Sequence, residues 1–118
     1  MRLVIELLKQ ARNEYTIDSR RIYVTGLSMG GFGTFDLIER HPELFAAAVP
    51  ICGGGDESAA EKIAKIPLWV FHGAKDKVVP VNRSRKMVEA VKKAGADPRY
   101  TEYPNGGHDS WKIGRAHV

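Results

Sequence analysis

The chain has 118 residues, of which 43% are hydrophobic and 27% charged, a composition that excludes a disordered or fibrous protein. No apolar run is long enough to cross a bilayer, and the first residues lack the apolar stretch and cleavage site of a signal peptide. We therefore expect no membrane partner and, by default, a cytoplasmic location, although a longer parent protein could be exported.

The net charge is +4 and the isoelectric point about 9.3, which raises the question of nucleic-acid binding. Nucleic-acid-binding proteins gather positive charges into a patch and interleave them with aromatic residues. Here the basic residues of 83–93 lie among Glu89 and apolar residues, with no aromatic side chain between them. This pattern indicates a solvated helix face, so we expect no nucleic-acid partner.

Helical spacing of apolar residues alternates with short apolar runs along the chain. Helices are predicted over 2–14, from Gly30 to the stop at His41-Pro42, over 58–65 and over 81–94 before Gly95; strands are predicted over 22–25, 46–51, 68–72 and 99–103. Strands that read as continuous apolar runs belong to a parallel sheet covered on both faces. The fold class is therefore α/β, with about four parallel strands in one domain.

The stretch VTGLSMGGFG contains Gly26-Leu27-Ser28-Met29-Gly30, which fits the pattern G-x-S-x-G. In this turn from strand to helix, a serine hydroxyl is lifted above the sheet in strained geometry. We expect a Cβ at position 26 or 30 to clash, because the two backbones pack closely. The serine also lies at a helix N-terminus, so the Met29 N–H is a predicted oxyanion donor.

Two other functions of such a turn compete with catalysis. Phosphate binding is not supported, because the turn does not fit G-x-G-x-x-G and no Gly-Lys-Ser/Thr follows it. A structural turn that contains an incidental serine is the second alternative.

A nucleophilic serine needs a base and a carboxylate that orients the base, in the chain order Ser, Asp or Glu, His. Asp76 follows the predicted strand 68–72, and His108 follows the predicted strand 99–103. Order and placement match this requirement, so we predict that Ser28, Asp76 and His108 form a catalytic triad.

Other polar residues are assigned structural roles. His41 is predicted to cap a helix or lie at the surface, Asp56 and Glu57 to begin a helix, and Asp109 to point away from the base. His72 either supports the structure or lines the substrate pocket.

Leu27 and Trp111 are the other predicted pocket residues. Cys52 cannot form an internal disulfide and is predicted to be an inert buried thiol, and Trp69 is predicted to belong to the core. No His/Cys cluster has the spacing of a metal site, so we expect no metal or organic cofactor.

At these residues the chain resembles the α/β-hydrolase superfamily. Three segments are similar to the bacterial carboxylesterase and predicted-peptidase group, which is related to dienelactone hydrolases, feruloyl esterases and prolyl oligopeptidases: IDSRRIYVTGLSMGGFGTFDLIERHPELFAAAVPICGGGD, PLWVFHGAKDKVVPV and YTEYPNGGHDSW. The resemblance covers about residues 3–111.

The resemblance implies Ser28 as nucleophile, Asp76 as orienting acid, His108 as general base and acid, and the Met29 amide as one oxyanion donor. It implies hydrolysis of a small-molecule ester or other acyl substrate through an acyl-serine intermediate. A serine peptidase is the alternative within this class. A catalytically silent fragment that at most binds a partner is the alternative of another class.

An α/β-hydrolase uses about eight strands, and the order here supplies those from the nucleophile strand onward. We therefore expect residues 1–112 to form the C-terminal half of such a domain, with an exposed sheet edge that permits self-association. The end of the chain, 113–118, matches a translated sequencing adapter, and we interpret it as a non-native tail.

Overall fold

A computed structural model describes residues 2–112, so the predicted tail 113–118 lies outside the described residues. The described strands are β1 (Tyr23–Leu27), β2 (Ala47–Ile51), β3 (Trp69–Gly73) and β4 (Arg99–Tyr103). The main helices are α1 (Arg2–Glu14), α2 (Met29–Arg40), α3 (Ala60–Ile63) and α4 (Asn82–Lys93), and single 3₁₀ turns cover Pro42–Leu44 and Glu57–Ala59.

The four strands form one parallel sheet in the order β1-β2-β3-β4. Tyr23 pairs with Ala47 and Trp69 with Arg99, so the strands begin and end at nearly the same level. Parallel strands present all their carboxyl ends at one edge of the sheet. The loops that follow β1, β3 and β4 therefore meet there, and these loops carry the three predicted triad residues.

The core lies between one face of the sheet and helices α2, α3 and α4. Ala48 and Val70 point into it from the strands, and it is completed by large side chains that have almost no solvent exposure: Phe35, Ile38, Ile63, Met87 and Val91. This face follows the period-two alternation of strands, in which every second side chain is buried.

The opposite sheet face differs from the prediction of a sheet covered on both sides. Within the described residues, Trp69 and Phe71 stack at 4.9 Å between ring centroids and are only half-buried. The Arg99 guanidinium lies 4.1 Å from the Trp69 ring centroid. The prediction that Trp69 belongs to the core is therefore wrong, because its strand position points it to the second face.

Several element ends differ from the predictions by one residue, and two elements differ by more. Strand β1 continues through Gly26 and Leu27, because these residues pair with Pro50 and Ile51. The helix predicted over 58–65 is instead a 3₁₀ turn followed by one turn of α-helix. Among residues 2–112, none of the helices has the length and apolarity that a membrane span requires.

Candidate active site

Ser28 joins β1 to α2 in an unusual backbone conformation, with φ 54° and ψ −112°. Few residues other than glycine adopt positive φ, and such strain concentrates at functional sites. The Ser28 N–H donates to Ile51 O at 3.0 Å, which fixes the turn to the neighbouring strand. Its hydroxyl makes no helix-capping hydrogen bond and is therefore available to other partners.

The glycines around Ser28 allow two close backbone approaches. A Cβ at Gly26 would collide with the Gly30 backbone, as the sequence predicts. Among the described residues, a Cβ at Gly30 itself meets nothing within 4 Å, so the predicted clash at that position is wrong. The second close approach is at Gly31, where a Cβ would lie 2.5 Å from Ile51 O and 3.1 Å from Gly53 Cα. Gly31 and Gly53 therefore let helix α2 dock against the loop after β2.

The structure brings His108 to Ser28 from the loop after β4. His108 Nε2 lies 2.8 Å from Ser28 Oγ, and the side chain is 23% exposed. The loop is held against β3 by a hydrogen bond from Lys75 N to Gly106 O at 2.9 Å. A Cβ at Gly73 would meet the Gly106 and Gly107 carbonyls, so this packing also depends on glycine.

Asp76 lies in the turn after β3, and its carboxylate is fully removed from solvent. The Val78 and Val79 amides each donate to Oδ1 at 2.8 Å, and Oδ2 lies 2.8 Å from His108 Nδ1. Burial alone would raise the pKa of Asp76, but the hydrogen bonds from His108 and the two amides outweigh it and hold the pKa below its ordinary value. Asp76 is therefore an ionised acceptor for the imidazole.

These contacts determine which ring nitrogen of His108 carries the proton. An ionised carboxylate only accepts, so Nδ1 must donate to Asp76. Nε2 of the neutral ring then presents a lone pair, which can accept a hydrogen bond from the Ser28 hydroxyl. Trp111 packs edge-on against the imidazole, with 6.0 Å between ring centroids.

The polar residues that were assigned structural roles make contacts of their own. Asp56 accepts hydrogen bonds from the backbone and hydroxyl of Ser58 and caps the 3₁₀ turn, as predicted. The Asp109 carboxylate lies 3.8 Å from Lys112 Nζ in exposed surroundings. The backbone N–H of His41 donates to Leu37 O at the end of α2, in agreement with its predicted capping role.

Met29 is the first residue of α2, and its side chain is 86% exposed. The first four N–H groups of an α-helix have no intrahelical acceptor. The Met29 amide therefore occupies the place where an oxyanion donor was predicted, directly after Ser28.

The predicted pocket residues have different environments. Leu27 is 42% exposed at the end of β1, and Trp111 is half-buried beside the imidazole. His72 has no solvent exposure, and both its ring nitrogens have protein partners. His72 therefore cannot line an open pocket, because it lies under the acid loop.

Cys52 is a neighbour of the site that the sequence analysis did not place there. It follows β2 with a φ of 44° and is fully buried, and burial is the main cause that raises the pKa of its thiol. Its sulfur, an Asp76 oxygen and a His108 nitrogen all lie within 4.8 Å of one another. These donor types suit zinc, but Asp76 and His108 already use theirs on each other. The sequence signal that could have placed Cys52 near the site is its position directly after a predicted parallel strand, at the same sheet edge as the other site residues.

A family model matches residues 2–112 and describes the dienelactone hydrolase family. The chain belongs to the dienelactone hydrolase family. This membership agrees with the resemblance seen in the sequence and with the partial α/β-hydrolase fold. The family is one of hydrolases, and the relatives that match include several esterases.

Two curated relatives illustrate the similarity. The bifunctional acetylxylan esterase/xylanase XynS20E of Neocallimastix patriciarum is 28% identical over 86% of this chain and 16% of its own length. The probable feruloyl esterase C of Aspergillus niger is 26% identical over 90% of this chain and 40% of its own length. The chain thus spans less than half the length of these relatives.

Solved structures show the same fold. A thermostable esterase superposes with a TM-score of 0.86 and 55% identity, covering 88% of this chain and 28% of that one. An acylaminoacyl peptidase of Pyrococcus horikoshii superposes with a TM-score of 0.80 at 20% identity, covering 92% of this chain and 23% of that one. The second likeness concerns the fold alone.

Proposed function

We propose that the protein hydrolyses a carboxylic ester through an acyl-serine intermediate on Ser28. The observation that carries this proposal is the unbroken hydrogen-bond chain from the carboxylate to the hydroxyl. Asp76 Oδ2 and His108 Nδ1 are 2.8 Å apart, and His108 Nε2 and Ser28 Oγ are also 2.8 Å apart. Both distances are within the range that general-base activation of a serine requires.

In the acylation step, Ser28 Oγ attacks the ester carbonyl carbon while His108 Nε2 takes the hydroxyl proton. The imidazolium that results is stabilised by the ionised Asp76 carboxylate, which keeps the ring in place through Nδ1. The carbon–oxygen bond to the leaving alcohol then breaks, and Nε2 gives its proton to the alcohol oxygen. Water attacks the acyl-serine by the same path and releases the acid.

The Met29 amide is proposed to stabilise the negative oxygen of the tetrahedral intermediate. It directly follows the nucleophile at a helix N-terminus, where amides point outward and the helix dipole favours negative charge. Residues 2–112 suggest no second donor, so we assign only this one.

An ester is preferred over a peptide as the substrate class. Relatives that match over most of this chain are named as an acetylxylan esterase and a feruloyl esterase, and a solved esterase is 55% identical. Peptidase neighbours are only 20% identical, so they do not argue for peptide cleavage. We therefore propose a small-molecule ester, without assigning its acyl or alcohol group.

Labelling with a fluorophosphonate probe tests the proposal in the protein at its full natural length. Wild type should be labelled on Ser28 and should hydrolyse p-nitrophenyl acetate, whereas Ser28→Ala should lose labelling and about 10⁵- to 10⁶-fold in kcat. Ser58→Ala is the matched control, because Ser58 only bonds to Asp56 and should be dispensable.

The double variant Ser28→Ala/His108→Ala tests whether the two residues act as one unit. Its kcat should be no lower than that of Ser28→Ala, because the base has no role once the nucleophile is gone. Additive losses, or a wild type that is not labelled on Ser28, would contradict the proposal.

A further inference from the structure

His72 is a buried polar residue that the proposed mechanism does not use. It is the fourth residue of β3, with no solvent exposure, and lies four positions before Asp76. Burial of an imidazole is costly unless its polar atoms find partners. The partners that His72 finds connect it to the loop that carries Asp76 and to helix α4.

The Nε2 side of His72 faces the acid loop. Nε2 lies 2.8 Å from Val79 O and 3.3 Å from Asp76 Oδ2. A carbonyl and an ionised carboxylate can only accept, so Nε2 carries a hydrogen and donates to this side. Val79 in turn donates its own N–H to Asp76 Oδ1 at 2.8 Å. His72 therefore fixes Val79, which in turn donates to the Asp76 carboxylate. The His72 Nε2–H also lies beside Asp76 Oδ2, the oxygen that accepts from His108.

The Nδ1 side of His72 faces the rest of the scaffold. Nδ1 lies 2.7 Å from Ser84 Oγ, in the first turn of α4, and Ser84 is itself fully buried. The Ser84 hydroxyl also lies 3.0 Å from Gly53 O. Gly53 packs against the backbone of Gly31 and Phe32, at the start of the nucleophile helix. One buried chain of contacts thus links the loop that carries Asp76 to the helix that follows Ser28.

We propose that His72 is a positioning residue for Asp76: through Val79 and its contact with Oδ2, it fixes the carboxylate where His108 needs it. The inference rests on the proposed function. A displacement of about 1 Å at a catalytic group can cost about 10²-fold in rate, so a residue that fixes the acid loop affects kcat without touching substrate. Substrate binding does not depend on the acid, so KM should stay constant.

Two substitutions separate the two sides of the ring. His72→Gln places an amide nitrogen at the position of Nε2 and keeps donors for Val79 and Asp76. His72→Asn places its nitrogen at the position of Nδ1, which keeps the contact with Ser84 and loses the contact with the acid loop. Both remove one hydrogen bond and some buried volume, so a purely structural role predicts similar losses in both.

The expected result is that His72→Gln retains kcat for p-nitrophenyl acetate within about threefold, while His72→Asn loses about tenfold to 10²-fold at unchanged KM. Their melting temperatures should fall by similar amounts. Thr101→Val is the control for stability loss in the same strands, because it removes the 2.9 Å bond from Trp69 Nε1 and lies outside the site. It should lower the melting temperature and leave kcat unchanged.

Equal kcat in the Gln and Asn variants, or a matching fall in kcat in Thr101→Val, would overturn the inference. If His72→Asn does not fold, His72→Gln decides alone: retained kcat supports the positioning role, and a tenfold or greater loss refutes it. If neither folds, His72 is a folding residue and the inference is wrong. Fluorophosphonate labelling of wild-type Ser28 tests the proposed function separately, and an unlabelled wild type would overturn both.

Discussion

Ser28 and Cys52 are the two described non-glycine residues with positive φ, at 54° and 44°, and they end neighbouring strands. Such a conformation persists only where surrounding contacts impose it. Ser28 N donates to Ile51 O at 3.0 Å, and Cys52 N donates to Phe71 O at 2.8 Å. Hydrogen bonding between neighbouring strands thus continues past the last strand residue, and this continuation fixes the backbone at Ser28.

Asp76→Asn is predicted to lower kcat by about 10⁴-fold with only a small fall in melting temperature. The Val78 and Val79 amides need an acceptor at Oδ1, so the new amide nitrogen must face His108 Nδ1. The imidazole is then forced to carry its proton on Nε2, and it can no longer accept the proton of Ser28. Steady-state kinetics and thermal unfolding of the full-length protein measure both effects.

Asp109→Asn is the control for that substitution, because Asp109 adjoins His108 in sequence and, among residues 2–112, its carboxylate pairs with exposed Lys112. It should leave kcat unchanged. Activity that survives Asp76→Asn and disappears with Asp109→Asn would show that the acid is misassigned.

The three site residues could be placed from sequence because each follows a predicted strand, and parallel strands end at one edge. The role of His72 could not be predicted from sequence, since a residue at the end of a strand can either line a pocket or be buried in a structural role. Only the positions of Val79 and Ser84, seven and twelve residues further on, decide between these roles. Gly30 shows the same limit, because sequence spacing does not tell which of two neighbouring glycines faces the strand.

Among the structural elements, α2 depends most strongly on a close backbone approach. Gly31→Ala should destabilise the protein by about 1–3 kcal/mol, because its Cβ would lie 2.5 Å from Ile51 O and neither backbone can move freely. Gly30→Ala should be neutral or slightly stabilising, since nothing lies within 4 Å and alanine favours the helix. Urea unfolding of the two variants tests the contrast, and equal stability would contradict it.

An ion pair between Arg85 of helix α4 and Glu102 of strand β4 is expected to make the stability of the protein depend on pH. Arg85 Nε and Nη2 each lie 2.7 Å from a carboxylate oxygen of Glu102, and Tyr100 Oη lies 2.6 Å from one of them. The hydrogen bond from Arg85 is the largest cause that lowers the pKa of Glu102, and burial opposes it. The pKa falls from 4.5 to about 2.

A carboxyl whose pKa is lowered on folding stabilises the protein above its unfolded pKa, and the stabilisation is lost as pH falls through the folded value. Glu102→Gln should therefore reduce the free energy of unfolding by about 1 kcal/mol at pH 7, a modest value because Arg85 is half-exposed. The difference from wild type should shrink between pH 4.5 and about 2. Urea unfolding across this range measures it.

Glu89→Gln is the matched control, because Glu89 pairs with Lys93 on the exposed side of the same helix. It should change the free energy of unfolding little at any pH. A difference between Glu102→Gln and wild type that stays constant down to pH 2 would contradict the assignment of the contact.

At the scale of the whole molecule, the α/β class and the four parallel strands followed from the alternation of helical patterns and predicted strands. The unequal burial of the two sheet faces could not be predicted from the sequence, because Trp69 and Phe71 are as apolar as the residues on the core face. The sequence of a strand shows which side chains are apolar, but it does not show which other segment of the protein packs over them. In the described residues the helical core covers one face, and the other keeps aromatic rings half-exposed.

The edge strand β1 is equally open. Tyr23 is 66% exposed and Leu27 is 42% exposed, and helix α1, which precedes β1 in sequence, presents Leu3 and Leu7 at 79% and 67% exposure. An edge strand offers unpaired N–H and C=O groups, and exposed apolar patches of this kind mark surfaces that associate. The described residues therefore present both a hydrogen-bonding edge and several exposed apolar side chains.

We predict that the isolated 118-residue polypeptide self-associates or is poorly soluble, and that it has little esterase activity although Ser28, Asp76 and His108 are all present. The open β1 edge and the exposed apolar side chains favour association. Activity is low because the Met29 amide is the one oxyanion donor assigned among residues 2–112, and losing a second donor costs about 10²- to 10³-fold in kcat. Size-exclusion chromatography and p-nitrophenyl acetate hydrolysis test both statements. A stable monomer with the turnover of an ordinary esterase would refute them, and would show that these residues form a complete small hydrolase.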